Sequence, residues 1–173
     1  MMRNIEELYE ASKEDLPELY CDMDQVLCNF LKAADKAVGG SFAMHDKKTR
    51  WNYIIKIKGF WENLEWMPGS KKLWQVIAKY NPQILSAWPY TDPSAKRGKM
   101  KWLNKYTNVP RGKIHLVQRE QKKSFAKTKD EKPNVLIDDY IKNIKDWESA
   151  GGIGINHTSV SKTLGELKRL GFK

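Results

Sequence analysis

Two aspartates, Asp22 and Asp24, lie one residue apart where a short apolar run of the sequence ends. The order of an apolar run, two acids and further apolar residues predicts a buried strand, a sharp turn and a helix. Carboxylates at the C-terminal edge of such a strand lie where open α/β sheets bind ligands. The pair can hold a divalent cation and leave one oxygen free as a nucleophile, which indicates phosphoryl chemistry. Taken alone, a pair of this kind more often lies in a solvated or helix-capping loop, and it is the flanking apolar residues that favour the strand end.

Polar residues follow three other apolar runs. Ser86 ends one run with a hydroxyl that can hydrogen-bond a phosphate oxygen, although a helix-capping serine would look the same. Asp138 and Asp139 end another run, and adjacent buried acids need a cation or donors to offset their repulsion. Lys122 follows a third run and could bind phosphate and balance these acids, but on local grounds a surface lysine is by far the more common interpretation.

The apolar runs alternate with helical patterns along the chain. Strands are predicted at residues 19–23, 83–87, 113–117, 134–137 and 152–156. Helices are predicted at residues 29–38, 71–80, 95–106, 141–150 and 161–170. Strands separated by helices imply crossover connections, so the sequence predicts an α/β, Rossmann-like fold with a mainly parallel sheet flanked by helices.

One stretch, residues 41–68, departs from this alternation and is rich in aromatic residues. We expect a small helical cap inserted after the first strand-helix unit, at residues 31–68, over a core formed by residues 1–30 and 69–173. Trp51 and Tyr53 are expected to form a private mini-core of the cap. Phe60 and Trp61 could instead form a stacking wall for a nucleobase.

The composition indicates a globular protein with one well-buried core, since 40% of its 173 residues are hydrophobic and 30% are charged. A net charge of +10 makes an anionic partner plausible, either a small phosphate or a nucleic acid. No apolar run approaches the roughly 20 residues of a membrane span, so no membrane partner is expected. Residues 1–15 lack the apolar centre of a signal peptide, which predicts a cytoplasmic protein.

Residues with metal-binding or redox potential elsewhere are few. Cys21 and Cys28 fall in apolar surroundings and are expected to be buried free thiols. The histidines His45, His115 and His157 are isolated and show no metal-ligand spacing.

Together the four strand ends resemble the motifs of the haloacid dehalogenase (HAD) superfamily of phosphohydrolases, in the same order along the chain. Asp22-Met23-Asp24-Gln25-Val26 matches the first motif, Ser86 the second, Lys122 the third and Asp138-Asp139 the fourth. Within that superfamily the chain resembles the 5′(3′)-deoxyribonucleotidase family, including its small phage and bacterial members. The matching segments are residues 22–30, 59–69, 84–86, 136–143 and 151–155.

The resemblance implies a role for each acid. Asp22 would attack phosphorus and form an aspartyl-phosphate. Asp24 would protonate the leaving oxygen and then deprotonate the hydrolytic water. Mg²⁺ would be held by the Asp22 carboxylate, the Asp24 backbone carbonyl and Asp139, with Asp138 as a supporting or alternative ligand.

The resemblance also implies how the substrate is held. Ser86, the amide of Ala87 and Lys122 would bind the phosphoryl oxygens. It is only this resemblance that favours Lys122 over Lys123 or Lys99. The base-binding positions of the family correspond to Phe30, Phe60 and Trp61.

Two positions depart from the family pattern. Gln25 stands where many superfamily members have Gly or Thr, and Ala87-Trp88 follows Ser86 where related nucleotidases often have Ser-Pro. The function implied is a Mg²⁺-dependent phosphatase acting on nucleoside or deoxynucleoside monophosphates. The alternatives are a phosphatase acting on phosphorylated nucleic-acid ends and a basic nucleic-acid-binding module without catalysis. The sequence leaves the base, the sugar, the phosphate position and the oligomeric state open.

Overall fold

Five parallel strands form one sheet in the computed structural model, which describes residues 16–173. The expectation for residues 1–15, including their place in the predicted core, lies outside the described residues. The strands are β1 Leu19–Cys21, β2 Gln83–Ala87, β3 Ile114–Val117, β4 Val135–Asp138 and β5 Ile153–Asn156. All five predicted strands are confirmed, although β1 ends two residues earlier than expected because the chain turns at Asp22.

The strand order is β3-β2-β1-β4-β5. From β1 the chain adds β2 and β3 on one side and then crosses to add β4 and β5 on the other. The crevice between the carboxyl ends of β1 and β4 is therefore the topological switch point, where open α/β sheets bind their ligands. The predicted α/β, Rossmann-like sheet flanked by helices is confirmed.

Helices cover both faces of the sheet. They are α1 Phe30–Val38, α2 Lys47–Ile55, α3 Ser70–Ile77, α4 Ser94–Tyr106, α5 Ile141–Ser149 and α6 Val160–Arg169. Alternation along β1 shows the two faces directly, because Leu19 and Cys21 join one apolar cluster while Tyr20 joins the other. The described helices include none that is long and apolar enough to span a bilayer.

The aromatic stretch contains α2 and two short 3-10 turns, Phe42–Met44 and Trp61–Asn63. Three of its rings, Phe42, Phe60 and Trp61, are buried with Phe30 of α1 in the same cluster as the sheet residues. Trp51 packs against this cluster as well, but Tyr53 is 45% exposed, so the expected private mini-core is wrong. The reason is helical geometry, since residues two apart on α2 point to nearly opposite sides. The division into core and cap stays a prediction.

Both cysteines, and the histidines His115 and His157, have the surroundings expected from the sequence. Cys21 and Cys28 are free, buried thiols. The ring of His115 hydrogen-bonds Gln83, and that of His157 hydrogen-bonds Thr163. His157 is thus satisfied within the fold rather than prepared to bind a metal.

Helix α4 approaches the 3-10 turn at Trp61 very closely. A Cβ atom added at Gly98 would lie 2.5 Å from the Cβ of Trp61 and 3.3 Å from the backbone nitrogen of Glu62. Only a residue without a side chain permits this approach, so Gly98 sets the distance between α4 and the aromatic cluster.

We expect Gly98→Ala to destabilise the protein by about 1–3 kcal/mol through overpacking against Trp61. Gly165→Ala is the matched control, because Gly165 also lies inside a helix but has open space around its Cα. It should stabilise by roughly 0.5–1 kcal/mol through reduced unfolded-state freedom. Urea unfolding of both variants measures the difference, and equal effects would show that the close approach is not a constraint.

Candidate active site

Three carboxylates meet at the switch point. Their ligand oxygens, from Asp22, Asp138 and Asp139, all lie within 4.8 Å of one another. Pairing of β1 with β4 brings them together, since Cys21 pairs with Ile137 and the Asp22 amide donates to the Ile137 carbonyl at 2.9 Å. The structure thus unites acids that are more than a hundred residues apart in the sequence.

Lys122 joins two of these carboxylates. It projects from the 3-10 turn Arg119–Phe125, is 2% exposed, and places its Nζ 2.7 Å from Asp138 Oδ2 and 3.1 Å from Asp22 Oδ2. Burial alone would lower the pKa of Lys122, but the two carboxylates outweigh it and raise that pKa. An ammonium carries three donors, so one remains available beyond its two partners in the described part of the chain.

Asp138 and Asp139 are adjacent but differ in their partners. Asp138 Oδ2 accepts from Lys122 and from Asn143 Nδ2, and its Oδ1 accepts from the Tyr140 amide at 2.9 Å. Asp139 has no such side-chain donor among residues 16–173. Burial and the neighbouring Asp22 and Asp138 charges raise the pKa of Asp139 to about 7. Asp139 is therefore the acid that most needs a further cation.

The carboxylate cluster fits a metal ion on chemical grounds. Its donors are all oxygen, which hard divalent cations prefer. The repulsion that raises the pKa of Asp139 would be relieved by such a cation. Asp24 is not one of the three clustered carboxylates, so a cation bound by those three would not occupy its side chain.

Asp24 lies in the tight turn that follows β1. The next residue, Gln25, has a positive φ of 59°, which non-glycine residues seldom adopt, and its side chain accepts a hydrogen bond from the Leu31 amide in α1. Asp24 Oδ2 lies 2.7 Å from Lys99 Nζ, whereas its Oδ1 is buried with no hydrogen-bond partner among the described residues. Burial raises the pKa of Asp24 despite the opposing charge of Lys99.

Ser86 and Ala87 lie at the carboxyl end of β2, beside β1. The Ser86 hydroxyl oxygen accepts from Lys99 Nζ at 3.0 Å, and the Ala87 carbonyl accepts from the same nitrogen at 2.9 Å. Lys99 therefore donates hydrogen bonds both to the predicted phosphate-binding serine and to Asp24, the predicted acid–base residue.

Lys99 is the residue that sequence reasoning missed. Its side chain is fully buried, whereas most lysines of this basic chain are exposed. One signal was present: Lys99 lies four residues after Ala95 and four before Leu103, on the apolar stripe of α4. A charged residue on a buried stripe requires a partner, and here the partners are site residues.

Phe30, Phe60 and Trp61, the positions expected to bind a base, lie together in one aromatic cluster. The Trp61 ring stacks on Phe30 with centroids 5.5 Å apart and meets Phe60 edge-on at 5.2 Å. Its indole nitrogen donates to Asp92 Oδ2 at 2.7 Å. The Trp61 centroid is 5.1 Å from Lys99 Nζ, so the cluster adjoins the lysine that pairs with Asp24. Each of these rings is less than a tenth exposed, so much of their stacking surface faces one another.

A comparison with known proteins finds a relative of this chain by sequence. No protein-family model matches the chain. An inferred 5′(3′)-deoxyribonucleotidase of Vibrio phage KVP40 is 26% identical over 140 residues, which cover 80% of this chain and 75% of the phage protein. The resemblance expected from the sequence motifs is thereby confirmed.

A solved structure shares the architecture. A hydrolase from Streptococcus pneumoniae TIGR4 superposes with a TM-score of 0.57 at 11% identity, covering 88% of this chain and 98% of that one. A hydrolase from Pseudomonas syringae gives 0.46 at 16% identity, with 89% and 90% covered. The former match shows that this chain has the fold of that hydrolase.

We expect Lys122→Met to lower the free energy of unfolding by about 3–5 kcal/mol in metal-free buffer, because two buried carboxylates lose their shared cation. Adding Asp138→Asn should restore part of the loss, since it removes one of the facing charges. Lys123→Met, at the exposed neighbouring position, should change stability by less than about 0.5 kcal/mol. Denaturant unfolding measures all three, and a Lys122→Met variant as stable as the Lys123 control would refute the charge balance.

Proposed function

We propose that the protein is a HAD-type phosphomonoesterase that hydrolyses nucleoside or deoxynucleoside monophosphates through an aspartyl-phosphate on Asp22. The observation that carries the proposal is the switch-point grouping of Asp22 with two further carboxylates and Lys122. The phage relative supports the nucleotide as substrate, because its inferred activity is that of a deoxyribonucleotidase.

The first half-reaction transfers the phosphoryl group to the protein. A carboxylate oxygen of Asp22 forms a bond to phosphorus while the bond from phosphorus to the nucleoside oxygen breaks. Asp24 donates a proton to that departing oxygen, and its burial-raised pKa favours the protonated form needed for this step.

The second half-reaction releases phosphate. Asp24, now a carboxylate, takes a proton from water as the water oxygen bonds to phosphorus and the bond to Asp22 breaks. Asp24 is then protonated and Asp22 is free, so the cycle closes without another reactant.

Three groups would hold the phosphoryl oxygens during both steps. Lys122 contributes the donor that Asp22 and Asp138 leave unused. The Ser86 hydroxyl already accepts from Lys99, so its own proton is available to a phosphate oxygen. The Ala87 amide would complete the set, without the second hydroxyl that related nucleotidases often carry at this position.

Mg²⁺ would be held by the Asp22 carboxylate, the Asp24 backbone carbonyl and Asp139. Asp138 fits a supporting place better than a direct one, because both its oxygens are already engaged by Lys122, Asn143 and the Tyr140 amide. When bound, the cation would neutralise phosphoryl charge and reduce repulsion between Asp22 and its substrate.

The nucleobase would contact the aromatic cluster at Phe30, Phe60 and Trp61. Aromatic faces bind bases through stacking without base-specific hydrogen bonds. Since these rings largely pack on one another, the base would use the edges and rim that they leave open. The cluster would thus bind different nucleobases without selecting one of them.

The decisive assay is phosphate release, with and without Mg²⁺, from nucleoside monophosphates, deoxyribose 5-phosphate and 5′-phosphorylated oligonucleotides. We expect Asp22→Asn to abolish turnover, by at least about 10⁴-fold, while the melting temperature stays near or above the wild-type value. Deoxyribose 5-phosphate should show a raised KM because it lacks a base. Full activity of Asp22→Asn would overturn the assignment of the nucleophile.

The same panel separates the alternatives. The net charge of +10 favours a nucleic-acid end as the second candidate substrate. Its affinity would fall steeply with salt in proportion to the phosphates contacted, whereas a mononucleotide would show a shallow slope. Oligonucleotide binding without Mg²⁺-dependent phosphate release would instead indicate a binding module.

Mg²⁺ should raise the thermal stability of the wild-type protein. A cation at a hundred times its dissociation constant stabilises the folded state by about 2.7 kcal/mol, since it binds that state alone. Asp139→Asn should lose most of this shift because it removes the least satisfied carboxylate. Asp130→Asn, an exposed control in a turn, should retain it. An unchanged melting temperature across a Mg²⁺ titration of the wild type would exclude the proposed site.

A further inference from the structure

The buried ammonium of Lys99 uses every donor it has within the site. Its Nζ lies 2.7 Å from Asp24 Oδ2, 3.0 Å from Ser86 Oγ and 2.9 Å from the Ala87 carbonyl oxygen. A lysine ammonium carries three N–H groups, and three acceptors are present. None is left to bind substrate phosphate, in contrast to Lys122, which keeps one.

The contacts of Lys99 separate the two oxygens of Asp24. Oδ2 is held by the ammonium, whereas Oδ1 is buried and has no partner among residues 16–173. An ion pair with a buried ammonium fixes the plane of the Asp24 carboxyl group. The side chain is still 27% exposed, so the fixed carboxyl group remains accessible.

The lysine itself is held from two directions. Gly98, the residue before it, allows α4 to lie against the 3-10 turn at Trp61, and the Lys99 nitrogen lies 5.1 Å from the centre of the Trp61 ring. A cation over an indole face is attracted to the ring electrons. The position of Lys99 is therefore determined jointly by α4 and by the aromatic cluster.

We propose that Lys99 is a positioning residue that holds the Asp24 carboxyl group in place for its proton transfers. The inference rests on the proposed phosphatase function. Lys99 itself would contact neither the transferred phosphoryl group nor the leaving oxygen, because its three donors are engaged within the protein, and it acts through Asp24.

The test compares two substrates that differ in their need for an acid. The leaving group of a deoxynucleoside monophosphate is an alkoxide, which needs a proton as it departs. The leaving group of p-nitrophenyl phosphate is a stabilised phenolate, which does not. We expect Lys99→Met and Lys99→Gln to lower kcat/KM for the nucleotide by about 10²-fold, within the range of general acid catalysis. The loss for p-nitrophenyl phosphate should stay below roughly tenfold. The ratio kcat/KM is used because it reports the step in which the leaving group departs.

Lys101→Met is the matched control, because it removes the same charge from the same helix at an exposed position paired with Glu62. It should leave both substrates within about twofold. The inhibition constant of inorganic phosphate supplies a second readout, and it should hardly change in the Lys99 variants.

Three other outcomes would contradict either the role proposed for Lys99 or the nucleotide as substrate. Equal losses on both substrates together with weaker phosphate inhibition would assign Lys99 to phosphate binding and overturn the proposal. Failure of both Lys99 variants to fold, judged by circular dichroism and thermal melting, would assign the lysine to stability and overturn it as well. A wild-type protein that hydrolyses p-nitrophenyl phosphate but no nucleotide contradicts the nucleotide assignment instead, and the Lys99 proposal is then tested with an alkyl phosphate that the protein accepts.

Discussion

Mutual repulsion among Asp22, Asp138 and Asp139 is the constraint around which the site is arranged. Three carboxylates within 4.8 Å would be unfavourable in a largely buried setting without compensation. The chain offsets part of this charge with Lys122 and with the Asn143 and Tyr140 donors to Asp138. Asp139 receives none of these side-chain donors. A cation binding there would complete the compensation, which links the electrostatics of the fold to the chemistry proposed for it.

A second buried ion pair, between Lys99 and Asp24, lies beside the carboxylate cluster and has different partners. Lys99 pairs with Asp24, outside the three-carboxylate group, and also holds Ser86 and Ala87. The two buried lysines therefore have separate partners: Lys122 contacts Asp22 and Asp138, and Lys99 contacts Asp24 and Ser86. The environments of Asp22 and Asp24 thus differ, which is consistent with the different roles proposed for them.

Much of this arrangement could be predicted from the sequence, because Asp22, Ser86 and Asp138 each come at the end of an apolar run. Parallel strands bring their carboxyl ends to one edge, so these three residues had to be neighbours once the sheet was inferred. The different environments of Asp138 and Asp139 could not be predicted, since they arise from the path of the chain after β4. The apolar stripe of α4 indicates that Lys99 is buried, but its partners depend on how closely α4 packs at Gly98, which the sequence pattern does not specify.

The aromatic cluster that adjoins Lys99 also bears on how substrate enters and product leaves. Phe30, Phe42, Phe60 and Trp61 belong to the same buried cluster as Leu19 and Cys21 of β1. Lifting the aromatic segment away as a rigid lid would expose these rings to water, at a cost of about 1.5–3 kcal/mol for each large apolar side chain. Such an opening would be rare at equilibrium. Small side-chain movements at the rim are a less costly route for ligand exchange, so turnover need not wait for a hinge to open.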